Sequence, residues 1–265
     1  MFRSSNPTLK EGLFTETGML ADGQVMTVQG AVNKTLVLLL LLGAGAAWVW
    51  QSIAPLLLQA AESSRTGLAA IASQGSSVAL PFAIGGFFVA LILGFIISFK
   101  PAFSPFLAPV YALAEGMALG GISALIEFRY PGIVMQAVLL TFATLFSLLM
   151  AYKTGLIRVT DKFRMGIVAA TGAICLIYVI NMVMGFFNTS IPFISGNGFF
   201  GIAFSVFVVG IAALNLVLDF DLIERGAESG APKYMEWYGG FALMVTLVWL
   251  YIEILNLLMK LRSRD

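Results

Sequence analysis

The sequence predicts an all-α, polytopic membrane protein with seven transmembrane helices, and three observations carry that prediction. Hydrophobic residues make up 59% of the 265-residue chain and charged residues 11%, whereas ordinary soluble domains carry about 25% charged residues. A soluble fold of this composition would have too little polar surface to cover its core. Apolar stretches long enough to cross a hydrocarbon core, about 20 residues each, follow one another closely along the chain. On the last of them, polar residues recur at helical rather than strand spacing.

Taken in order, residues 1–33 are polar and mixed in charge, with Arg3, Lys10, Glu11, Glu16 and Asp22. They show no signal-peptide pattern, and the acids argue against an organelle transit peptide. The expected organisation is a polar tail over residues 1–34 and a seven-helix domain over residues 35–261, with MTVQGAVNK running straight into the first span. Spans are expected near 35–57, 78–99, 104–126, 132–152, 164–187, 199–220 and 238–260. The longest expected connections are 58–77 and 221–237, and FNTSIPFISGNG at 187–198 is uncharged and rich in turn formers. No internal repeat is evident, which disfavours an inverted-repeat transporter.

Arg and Lys set the orientation. The tail and the even-numbered connections hold Arg3, Lys10, Lys34, Lys100, Lys153, Arg158, Lys162, Arg164, Arg225 and Lys233. The opposite side holds Arg65, Arg129, Lys260, Arg262 and Arg264. Ten against five places the N-terminus in the cytoplasm. The formal charge of +1 gives no reason to expect nucleic acid as a partner; the lipid bilayer is the expected one. Histidine is absent, so a pH response falls to carboxylates or lysines. Cys175, the single cysteine, is expected to be a small buried hydrophobe.

The seventh span contains LVWLYIEILNLL, with Glu253 near its middle. A charged group at mid-bilayer costs roughly 2.5–3.5 kcal/mol even on lenient insertion scales, so it needs a partner, a water path or a proton. Thr246, Trp249, Glu253, Asn256 and Lys260 recur at spacings of three, four, three and four, which sets them on one face. That seam should face other helices or water. On the sixth span Asn215 and Asp219 share a face, while Asp221 is expected to point elsewhere, into headgroups or water. On the third, Ala108, Ala112, Gly116, Gly120 and Ala124 form a ladder of small residues suited to close helix packing, and Glu115 lies beside it. Lys100 closes the second span, placed either to approach Asp219 or to snorkel to the headgroups.

DFDLIERG at 219–226, LYIEILNLL at 250–258 and MALGG at 117–121 resemble the end and the third helix of the Bax inhibitor-1 family, in a bacterial-type member. The resemblance implies a seven-helix fold with the last helix central, in the bacterial inner (plasma) membrane. It also implies a calcium leak governed by pH through two interacting carboxylates, which fall on Asp219 and Glu253, and a basic residue that falls on Lys100. A further family acid in the second helix falls at Val89, which cannot serve. Asp219 and Glu253 are 34 residues apart, so direct contact would require asymmetric packing of the chain between them.

Carboxylates that share a low-dielectric site titrate as a unit, and their hard oxygens suit Ca²⁺. With so few acids the expected calcium site at Asp219 and Glu253 is weak and transient, and Glu115, Asn215 and Asn256 are expected to line the ion path or make helix contacts. Calcium is expected as the permeant ion, and no cofactor is expected. The alternative is a regulatory membrane protein that binds partners, such as a membrane protease or another membrane protein, through its tail. An enzyme is the least favoured class: H-E-x-x-H is impossible without histidine, and G-x-S-x-G is absent.

Overall fold

Proline and glycine punctuate the helices where the chain must turn. The computed structural model describes residues 25–62, 65–187, 189, 191, 194 and 196–263. The helices are α1 (Val28–Glu62), α2 (Arg65–Phe99), α3 (Ser104–Arg129), α4 (Ile133–Lys153), α5 (Asp161–Phe186), α6 (Phe199–Glu228) and α7 (Met235–Arg262). The structure is 88% helical with no strands among the described residues. All seven helices are long and apolar enough to cross a membrane, which makes this an integral membrane protein. Pro101 follows Lys100, and the residue before a proline is pushed out of the helical region; Lys100 accordingly takes φ −133° and ψ 74°, which separates α2 from α3. The Thr160 hydroxyl caps α5 by accepting from the Phe163 N–H. Gly230, at φ 69°, takes the left-handed conformation in the turn between α6 and α7.

Three boundaries differ from the sequence expectation. The first helix starts at Val28, inside the segment read as tail. The 58–77 connection is almost wholly helical, because α1 ends at Glu62 and α2 begins at Arg65. Leu, Gln, Ala and Glu are strong helix formers whether or not they lie in the apolar window that defines a span. The same extension carries α6 to Glu228 and leaves a turn of 229–234 rather than a connection of 221–237.

The chain divides into two units. One holds Met1–Pro131 and Leu222–Met244, and the other holds Gly132–Asp221 and Val245–Asp265. In the first unit, α3 packs against both α1 and α2, and its small residues decide how closely. Ala108, Ala112, Gly116, Gly120 and Ala124 are all buried. A Cβ on Gly116 would overlap the Leu42 carbonyl of α1, and one on Gly120 would lie 2.9 Å from the Ala46 oxygen. Toward α2, a Cβ on Gly121 would lie 2.7 Å from the Ala79 oxygen, and one on Gly86 2.6 Å from the Ala114 oxygen. The ladder is a backbone-to-backbone contact. Val49, Ile53, Ala79 and Ala124 form the adjoining core, with Phe82, Met117 and Phe128 against it.

The start of α1 is clasped to the turn between α6 and α7. The Met26 N–H donates to the Ala231 carbonyl at 2.7 Å, and Val25 bridges Pro232. The Thr27 hydroxyl accepts from the Gly30 N–H, as a helix cap does. Glu236 is 1% exposed. It accepts from the Thr27 N–H at 3.1 Å and the Thr27 hydroxyl at 3.0 Å, and lies 3.4 Å from the Lys233 ammonium. A buried carboxylate at a helix N-terminus complements the helix dipole. Gly30 leaves the room it needs, since a Cβ there would overlap the carboxylate.

In the second unit, Ile167, Ile174, Val208 and Ile211 make the core between α5 and α6, with Tyr178, Phe204 and Trp249 packed on it. Cys175 is exposed on α5, contrary to expectation. In a membrane helix the outward face is as apolar as the inward one, so composition does not tell the two apart.

Gly116→Ala should overpack the α1–α3 contact, at a cost of about 1–3 kcal/mol, and lower the melting temperature in detergent. Gly43→Ala on α1, where a Cβ would meet nothing within 4 Å, should leave it unchanged. An equal fall in both variants would remove the contact as the cause.

Candidate functional site

Burial along α7 forces its polar residues to find partners in the protein. In the most apolar windows of α3 and α7, 56% of residues are buried, against 11–39% in the other five helices. Hydrocarbon offers no hydrogen bonds, so each polar group on such a helix must be satisfied internally. The α7 seam from Thr246 to Lys260 runs fourteen residue steps, about 21 Å of helix. That is most of a hydrocarbon core about 30 Å thick.

Each described contact of the seam lies within the second unit. Thr246 is hydrogen-bonded to Asp219 of α6. Glu253 is 4% exposed; its Oε1 accepts from the Tyr178 hydroxyl of α5 at 2.8 Å and from the Trp249 indole N–H at 3.2 Å. Trp249 reaches it from one turn earlier, where the backward tilt of helical side chains brings i and i+4 together. Lys260 is 6% exposed, with its ammonium bound to oxygens of the α5–α6 connection and α6. Asn256 is half-buried between them. The remaining oxygens, Asp219 Oδ2 and Glu253 Oε2, are shielded from solvent and have no hydrogen-bond partner.

Asp219 and Glu253 belong to one seam but sit at different levels. Helix ends at Glu228 and Met235 centre the turn near residues 231–232 and bring position 219 level with about 244. Asp219 therefore meets Thr246, and Glu253 lies seven residues further, about 10 Å along the axis. The two acids mark successive stations on a polar line. Among the described residues no three of the His, Cys, Asp and Glu side chains gather as a metal cluster would require. A calcium ion in this seam would meet one carboxylate at a time.

Asn215 makes a helix contact: its amide donates to Thr171 Oγ1 of α5 at 2.8 Å and to the Ile211 carbonyl at 2.9 Å. Asp221 overturns its expectation. It is 7% exposed and forms an ion pair with Arg164 near the start of α5. Helix α6 continues to Glu228, so Asp221 lies within the helix rather than beyond its end. In the first unit, Glu115 is hydrogen-bonded to Tyr111, one turn earlier on α3, and the Tyr111 ring packs edge-on against Phe241 at 4.9 Å. Lys100 is exposed, with its ammonium 5.9 Å from the Phe103 ring centroid, as a snorkelling lysine would be.

Sequence reasoning passed over Tyr178 and Glu236. The signal for Tyr178 was a phenol inside an apolar run, where a buried hydroxyl needs an acceptor. Glu236 lies just ahead of the expected seventh span, and only its placement against α1 reveals its role.

The Arg164–Asp221 pair yields a testable expectation. Arg164 remains 39% exposed. Loss of its partner should therefore cost less than the roughly 3–5 kcal/mol of a fully buried pair, and more than the ~1 kcal/mol ceiling of exposed ones. Asp221→Asn should lower the melting temperature. Arg164→Gln in that background should add less than it does alone, which a double-mutant cycle measures. Strict additivity would mean that the two charges do not support each other.

No curated protein and no solved structure matches the chain. The profile of a family described as Bax inhibitor 1 like matches residues 6–263, nearly its whole length. With its seven membrane-spanning helices and a family profile matched over nearly its whole length, the chain belongs to the Bax inhibitor 1 like family.

Proposed function

We propose that the protein is a pH-sensitive leak for calcium or another small cation, gated by the carboxyls of Asp219 and Glu253. One observation carries the reading: each acid holds an oxygen that is shielded from water and has no hydrogen-bond partner. An unpartnered buried acceptor of that kind is costly. A proton on the oxygen, or a cation beside it, removes the cost, and the two outcomes exclude each other at one site. Protonation thereby competes with cation occupancy at two stations of the same line. Tyr178 and Trp249 occupy only Glu253 Oε1, which leaves Oε2 for either occupant.

In this reading the chain lies in a bacterial inner membrane with its N-terminus in the cytoplasm, where the larger share of Arg and Lys falls. Lys100 marks the headgroup level at the end of α2. The protein performs no bond-making chemistry and needs no cofactor. A second reading, a regulator that acts by binding a membrane protease or another membrane protein, draws on the clasp at Met26, Thr27 and Glu236. A partner that engaged the tail would act directly on the turn between α6 and α7.

Calcium flux into proteoliposomes at two pH values separates the readings. The wild-type protein should pass calcium at a rate that changes with pH, and Glu253→Gln should stay folded and flatten that dependence. Asp219→Asn should alter the profile separately, because its station lies two turns away. A pH profile for Glu253→Gln identical to wild type would place the switch elsewhere. A wild type with no flux at either pH would leave the partner-binding reading.

A further inference from the structure

We infer that the Lys260 ammonium fills a cation site built from neutral oxygens at the end of the α7 seam, where it acts as a tethered competitor of a free cation. The competitor role rests on the leak reading; the site itself does not. A lysine near the end of a membrane helix ordinarily extends its ammonium to the headgroups. Arg262, two residues on, is exposed in that manner, whereas Lys260 is 6% exposed. Fully buried lysines are usually paired with a carboxylate; here the three hydrogen-bond acceptors carry no formal charge, and Glu253 acts on the ammonium only through its field along the seam. The ammonium donates to the Ile194 carbonyl at 2.6 Å, the Ser205 hydroxyl at 2.8 Å and the Gly201 carbonyl at 3.2 Å.

An ammonium has three N–H donors, and these oxygens use all of them. The cage has a simple origin. Gly201 and Ser205 are four apart near the start of α6, so the Gly201 carbonyl and the Ser205 side chain share a face. Ile194 in the preceding connection closes over them. Ser205 is 2% exposed and Ile194 9% exposed, so the oxygens are dehydrated together with the charge they hold. Neutral carbonyl oxygens that replace a hydration shell are what potassium-channel filters offer to their ion. Lys260 also lies seven residues beyond Glu253 on the same face, about 10 Å along the axis. A cation that left the Glu253 station toward this end of the seam would meet a site already holding one positive charge. It could advance only when the lysine withdrew.

Lys260→Met empties the cage without adding charge, and methylammonium is the matching free probe. In detergent, the melting temperature of Lys260→Met should rise saturably with methylammonium while that of the wild type does not. Tetramethylammonium, which has no N–H donors, controls for ionic strength. A variant indifferent to methylammonium would reduce Lys260 to a strut for the α5–α6 connection. In proteoliposomes the variant should pass calcium several-fold faster than wild type and be slowed by methylammonium. Flux equal to wild type would remove the competitor role. If neither protein passes calcium but the methylammonium response persists, the leak reading fails and the cation site stands. Should Lys260→Met not fold, Ser205→Ala keeps the lysine and removes one of its three oxygens. It should also leak faster, and unchanged flux would overturn the proposal.

Discussion

The structure depends on one constraint, that a polar group inside a hydrocarbon layer has only protein to bond with. Helix α7 carries five polar residues along one face, so that face must be enclosed. The elements that enclose it are those that bring an acceptor or donor to the right level. Helix α6 supplies Asp219 to Thr246, α5 supplies Tyr178 to Glu253, and the start of α6 with the connection before it supplies three oxygens to Lys260. What makes α7 expensive to insert also makes its surroundings specific.

The first unit solves a different problem by different means. Association between apolar helices in lipid gains little from the hydrophobic effect and relies on close van der Waals approach. Gly116, Gly120 and Gly121 let α3 lie against the backbones of α1 and α2, where any side chain would collide with a carbonyl. The charge that does enter this unit deeply, Glu236, is met by the N–H and the hydroxyl of Thr27, just ahead of α1. Tight packing and a charge-assisted cap together hold the chain where it leaves the tail.

Function, as proposed, lives in what this enclosure leaves incomplete. Among the described residues, the buried side-chain atoms left without a hydrogen-bond partner are one oxygen on Asp219 and one on Glu253. They are spaced along the helix rather than side by side, which suits stepwise passage of a cation better than a cage that retains one. The Lys260 site at the far end is the opposite case, an oxygen cluster completed by a charge from the chain itself.

The sequence by itself determined the number and type of the elements, because a span needs about 20 apolar residues and seven such stretches follow one another along the chain. It also placed Thr246, Trp249, Glu253, Asn256 and Lys260 on one face and marked the α3 ladder as a packing surface, since both are consequences of helical period within a single element. What only the tertiary structure decided is which group meets which. Tyr178 and Glu253 are 75 residues apart, Lys260 and Ile194 66, and Arg164 and Asp221 57. The rotation of α6 that turns Asp221 toward Arg164 instead of water, and the outward position of Cys175, are equally invisible in the chain. In lipid the inner and outer faces of a helix are both apolar, so hydrophobic pattern does not orient it. Its rotation is set by the few polar partners and small residues that other helices bring to it.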